Sequence, residues 1–158
     1  MRSLPPKLQK PKLLRPRKSN MQKTYSPKAS QVKRVWYKID AAGMVVGRLA
    51  VRIAEILMGK GKTTFARHID SGDQVVVTNI EKTKFSGTKE TTKKYHTHSG
   101  YAGGHKLLSV RQVRETKPER IVEHAVSGML PKNKLRPNML KRLHLIKGEQ
   151  NPYEQHFK

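Results

Sequence analysis

Residues 35–78 read VWYKIDAAGMVVGRLAVRIAEILMGKGKTTFARHIDSGDQVVVT, and three successive patterns in this stretch decide the fold class. Val35 to Ile39 gathers β-branched and aromatic residues, the composition of a strand, and Asp40-Ala41-Ala42-Gly43 follows as a turn. Leu49, Ile53, Ile56 and Leu57 then recur at i, i+4, i+7 and i+8, which is one face of a helix. Arg48, Arg52 and Glu55 occupy its other face, and Gly59 and Gly61 stop it. Val75-Val76-Val77, within Gln74 to Thr78, is an unbroken β-branched run. It fits a strand buried on both faces of a parallel sheet. Strand, helix and strand in that order form a βαβ unit, whose crossover is expected to be right-handed.

Downstream the patterns are shorter. Thr83 to Ser86, ahead of Gly87, predicts a weaker strand, and Leu107 to Glu115 a short helix. Thr116-x-x-Glu119 has the spacing of a capping box, with Pro118 in the first turn of the helix that follows. Ile121, Val122, Ala125, Val126 and Met129 share one face of that helix, and Pro131 ends it. A last helix is expected around Met139 to Arg142 and a last strand around Leu143 to Ile146. The sum is an α/β sandwich with a small, mostly parallel sheet and no internal repeat.

Charge sets the function class. The chain has 34 Lys plus Arg against 11 Asp plus Glu, a formal charge of +23 over 158 residues. No acid precedes Asp40. A chain this basic repels itself when alone and suits a dense polyanion, RNA or DNA above all. Residues 1–33 read as an extended basic arm, with Pro5, Pro6, Pro11 and Pro16 set against a helix. Residues 34–150 read as the folded domain and 151–158 as a tail. The absence of cysteine removes disulfides and Cys-based zinc sites. No run approaches the ~18 apolar residues that span a bilayer. The first residues lack the apolar stretch of a secretory signal.

Several motifs carry competing chemistry. Gly59-Lys60-Gly61-Lys62-Thr63-Thr64 suggests a phosphate-binding loop of the nucleotide hydrolases. That motif needs a glycine where Ile56 stands, and it must follow a strand rather than a helix. A basic loop meeting a phosphodiester is the better reading, with Arg48 on the helix before it. His96, His98 and His105 suggest metal ligands, but no carboxylate lies between Thr91 and Val113 to complete a site. The same segment fits an RNA face. Lys93, Lys94 and Lys106 would meet phosphates, Tyr95, His96, His98 and Tyr101 would stack, and Gly103 and Gly104 would allow close approach. A plain hairpin with exposed histidines is the alternative. His68, Asp70 and Asp73 lack a nucleophile at useful spacing and read more simply as residues around a turn. Lys132, Lys134, Arg136, Lys141 and Arg142 form a second basic cluster. In an ordinary protein it would be a solvated face; here the net charge favours RNA contact. Lys7, Lys10, Lys12, Arg15, Arg17 and Lys18 of the arm join these candidates.

Several motifs in order resemble one family. Trp36-Tyr37-Lys38-Ile39-Asp40-Ala41 with Gly47-Arg48-Leu49-Ala50 resembles the opening of ribosomal protein L-thirteen, a large-subunit protein. So do Gly72-Asp73 running into Val75 to Asn79, and Tyr95 through Gly104. Pro118-Glu119-Arg120-Ile121 with Gly128-Met129-Leu130-Pro131-Lys132-Asn133 is the strongest match. The resemblance implies a three-layer α/β/α sandwich on a small, mostly parallel four-stranded sheet. It also implies binding to large-subunit ribosomal RNA beside neighbouring ribosomal proteins, and an early role in subunit assembly. It implies no enzyme activity, cofactor, membrane or small-molecule substrate. Residues 1–20 are an added arm relative to bacterial members, and Gly148 to Tyr153 is closer to some mitochondrial ones. A bacterial cytoplasmic ribosome and a mitochondrial one both stay open. A free RNA-binding translational regulator is the rival reading.

Overall fold

The computed structural model describes residues 26–157. The expectations for residues 1–25, including Lys7, Lys10, Lys12, Arg15, Arg17 and Lys18, lie outside the described residues. The βαβ unit forms as the hydrophobic pattern requires: β1 (Trp36–Asp40), α1 (Val46–Met58) and β2 (Gln74–Thr78). β2 is the central strand. It pairs in parallel with β1, Trp36 opposite Gln74, and with β5 (Leu143–Leu145), Val75 opposite Leu143. A central parallel strand is covered on both faces, so Val75, Val76 and Val77 are all fully buried.

Leu49, Ile53 and Leu57 of α1 are fully buried against Ile39, Val75 and Val77, while Ile56 at the margin of the stripe is half-buried. Each such side chain stabilises the fold by ~1.5–3 kcal/mol. Val122 and Val126 of α4 (Glu119–Met129) and Met139 of α5 (Arg136–Leu140) close the same core. Two glycines permit the return from α1 to β2. Gly59 ends the helix at φ +75°, a left-handed conformation. Gly72 passes so close to α1 that a Cβ would lie 1.7 Å from the Leu57 carbonyl oxygen.

The sheet departs from expectation. It has three strands, not four. The strand expected at Thr83 to Ser86 is reduced to a single parallel bridge between Val45 and Lys84. A 3-10 turn at Ile80–Lys82 immediately precedes it, and the Thr83 hydroxyl donates back to the Ile80 carbonyl, so little extended chain is left to pair. A separate antiparallel pair, β3 (Lys94–His98) and β4 (His105–Ser109), forms a hairpin after the single turn of α2 (Lys89–Thr92). β4 takes Leu107 to Ser109 out of the expected helix, and α3 (Val110–Thr116) starts only after it. Ser109 caps α3: its hydroxyl accepts from the Gln112 amide, and its own amide donates to the Gln112 side chain. The capping box expected at Thr116 to Glu119 is not formed. Thr116 closes α3 with its hydroxyl donating to the Gln112 carbonyl, and Pro118 occupies the N-cap of α4. A second small core of Val46, Tyr95, Val110, Val113 and Ile121 fastens the hairpin to the domain.

On the other side of the sheet, residues 151–157 return over β1. The Trp36 indole lies 4.3 Å from the His156 ring and nearly parallel to it, with His144 and Tyr153 stacked at 5.4 and 5.7 Å.

Candidate nucleic-acid interface

The fold sorts the basic residues into two groups. The first is engaged inside the protein. Lys62 donates to Asp73 at 2.5 Å, to the Ser71 carbonyl at 3.0 Å and to the Lys33 carbonyl at 2.9 Å. An ammonium has three protons, and all three are used. Asp73 also accepts from the Val35 amide at 2.9 Å, so one buried carboxylate ties the start of β1 to the loop after α1. Arg142 is buried, and both its terminal nitrogens hold the carboxylate of Asp70 while one also reaches the Leu57 carbonyl. Arg136 donates to the Ser127 carbonyl and hydroxyl, bracing α5 against the end of α4. Lys93 lies over the Phe85 and Tyr95 rings at 5.3 and 5.2 Å, a cation–π contact.

These placements give Lys62 and Arg142 internal partners and turn Tyr95 away from solvent, while Arg136 and Lys93 are half-buried with internal contacts of their own. Tyr95 faces inward, 5% exposed, with its ring edge-on to His124. Burial pushes its phenol above the usual range, which keeps it neutral. Alternation along β3 explains the placement: Tyr95 and His96 point to opposite faces, and the apolar ring takes the core.

The second group is open to solvent. Arg48, Lys60, Lys94, Lys106, Lys132, Lys134 and Lys141 are exposed, and none has a carboxylate within ion-pair distance among the described residues. Five of them fall at two places, while Arg48 stands on α1 and Lys141 follows α5. The hairpin presents His96 and His98 on its outer face, with Lys94 and Lys106 exposed nearby, and Tyr101 stands 79% exposed at its tip. His96 Nδ1 and His105 Nε2 are 3.0 Å apart, and His98 Nδ1 accepts from the Gly100 amide. Gly103 in the connecting loop holds φ +72°. No cluster of three metal-ligating side chains occurs among the described residues. The second place is where the loop after α1 meets the loop between α4 and α5: Lys60, Arg67, Pro131 and Asn133 line one pocket, with Lys132 between the last two. Sequence reading missed Phe65 and Arg67 there. An aromatic residue within a basic loop was the available signal.

His68, Asp70 and Asp73 do not form a catalytic set. Both carboxylates are held by buried or half-buried cations as structural ion pairs. Asp40 is likewise structural: the Ala42 amide and the Asn79 side chain donate to it and hold its carboxyl below the usual carboxylate range.

A small parallel α/β domain presenting exposed cations on loops and a hairpin has the character of a basic scaffold protein. The sequence model described as Ribosomal protein L13 matches residues 34–152. The chain is 50% identical over 132 residues to the large ribosomal subunit protein uL13 of Chlorobium luteolum, covering 84% of this chain and 89% of that one. It is 52% identical over 130 residues to the same protein of Nocardia farcinica, covering 82% and 88%. With that of Clostridioides difficile it shares 49% identity over 142 residues, covering 86% and 99%. The chain belongs to the ribosomal protein L13 family, and it is a structural ribosomal protein, not an enzyme.

Proposed function

We propose that this chain, a structural constituent of the large ribosomal subunit by its family, binds large-subunit ribosomal RNA and supports early subunit assembly. One observation carries the reading: exposed cations with no internal partner gather at the hairpin and at the meeting of the two loops. Phosphates neutralise such cations and release counterions. Lys60, Lys132, Lys134, Lys94, Lys106, Arg48 and Lys141 are the phosphate ligands, with His96, His98, Tyr101, Gly103 and Gly104 meeting bases and backbone. Residues 1–33 act as a basic arm that orders along RNA, residues 34–150 as the RNA-binding domain and 151–158 as a tail. Neighbouring ribosomal proteins complete its surroundings. The identities near 50% to bacterial proteins support a bacterial-type cytoplasmic ribosome, with the mitochondrial ribosome as the alternative.

Sucrose-gradient sedimentation of lysate at moderate and high salt tests this reading. Co-migration with the large subunit that survives a salt wash is the expected result. A chain found only in light fractions would overturn it and favour a free RNA-binding regulator.

A further inference from the structure

The loop after α1 and the loop between α4 and α5 enclose an open pocket of about 390 Å³. That is toward the small end of ligand-sized clefts, which run roughly 300–1,000 Å³. Met58, Ile69, Met129 and Met139 line it, and Phe65 joins them while 37% exposed. Methionine side chains are flexible and polarisable and adapt to a flat ring. Lys60, Arg67 and Asn133 complete the lining.

An apolar pocket alone would accept many occupants, and here the charges decide between them. Lys60 and Arg67 line the pocket, Lys132 and Lys134 are exposed on the same loop as Asn133, and none of the four has a carboxylate within ion-pair distance among the described residues. An apolar protein side chain would fill the pocket and leave Lys60 and Arg67 without a counter-charge. A nucleotide supplies both halves: a flat apolar ring for the pocket and phosphates for the rim. Asn133 adds a means of reading a base edge. Its side-chain oxygen accepts from the Leu135 amide at 3.2 Å, which leaves its amino group to donate elsewhere.

We propose that this pocket takes one unstacked nucleobase of the bound RNA, stacked on Phe65, with Lys60 and Arg67 holding its flanking phosphates. RNA proteins commonly read single-stranded bases this way, on an aromatic ring or a guanidinium plane. The inference rests on RNA being the partner, as proposed above, and adds a site at which one nucleotide leaves its stack.

The test uses the full chain and protein-free large-subunit ribosomal RNA. Affinity is measured for the natural chain and for Phe65→Ala, Phe65→Leu and Phe65→Tyr, with chemical probing of base reactivity along the RNA. Phe65 stands on a partly exposed loop, and a thermal melt of each variant confirms folding. Ala and Leu are both expected to weaken binding about tenfold, since each removes a stacking platform, while Tyr keeps it. One nucleotide should change reactivity on binding of the natural and Tyr chains and not of the Ala chain. Natural affinity in the Leu variant would overturn the proposal, because simple apolar filling would then suffice. Natural affinity in all three variants would overturn it as well. So would an effect seen only in assembled subunits, which would make the occupant a protein side chain. Failure of the natural chain to bind the RNA would instead overturn the proposed function.

Discussion

Lys60 and Lys62 stand two residues apart in one loop and differ in every physical respect. Lys62 is three-quarters buried, and its three protons are held by Asp73, Ser71 and Lys33. Lys60 is exposed and unpaired at the rim of the pocket. The same contrast separates Arg142, clamped on Asp70, from its neighbour Lys141 in solvent. In a chain with 34 cations and 11 acids, the rare acids decide which cations become structural. Asp70 and Asp73 flank the return from α1 to β2, and the two cations that fold against that seam hold it closed. Cations without an internal partner, Lys60 and Lys141 among them, stay exposed.

The contrast can be broken first at Arg142. Arg142→Met leaves the carboxylate of Asp70 without its partner, and loss of one member of a buried pair costs about 3–5 kcal/mol. Urea unfolding should show that loss, while RNA affinity per folded molecule stays at the natural value. Lys62→Met should cost less, about 1.5–3 kcal/mol, because Asp73 keeps the Val35 amide as a donor. The salt dependence of RNA binding should not change in that variant; a flatter one would return Lys62 to the interface.

The opposite pattern is expected outside the seam. Replacing Lys60, Lys132 and Lys134 together by Ala should leave stability within about 0.5 kcal/mol per site. The slope of log affinity against log salt for RNA binding should flatten by about 2 units. A stability loss with an unchanged slope would reverse the assignment of these lysines.

The smallest effect concerns a third kind of cation, one made by pH. His144 lies in the stack with Trp36, and its Nε2 is 3.0 Å from the Gln74 side-chain oxygen. Burial, and secondarily the charge of His156, lower its pKa below 6.5. The unfolded chain therefore binds this proton more readily than the folded one. The stabilising contribution is complete above pH 6.5 and is lost as pH falls through the lowered folded value. Unfolding followed by the fluorescence of Trp36, the sole tryptophan, should show stability declining over that window. His144→Gln should flatten the decline, and an unchanged profile would assign it to another group.

Much of the fold was legible because it rests on local periodicity. The apolar stripe of α1 and the valine run of β2 emerge as the pattern demands, and the basic character of the chain is a simple count. The hairpin was less legible. Leu107 and Leu108 continue an apolar spacing into α3, and only the Ser109–Gln112 cap marks where the strand stops. The exposure of each basic or aromatic residue was not legible residue by residue. Tyr95 was read outward because its neighbours are basic, whereas the small core under the hairpin needed its ring.

The order of apolar and β-branched residues, the total charge and the family motifs all lie along the chain, so the βαβ unit and a polyanion partner follow from them directly. Which cation is free does not lie along the chain. Arg142 meets Asp70 across 72 residues, and Lys62 finds Lys33 across 29. Such pairings depend on distance and burial in space, where a missing partner is costly and a present one removes the charge from any interface. Residue type is local and Coulomb partners are not, so folding alone divides these lysines and arginines between holding the protein together and facing outward.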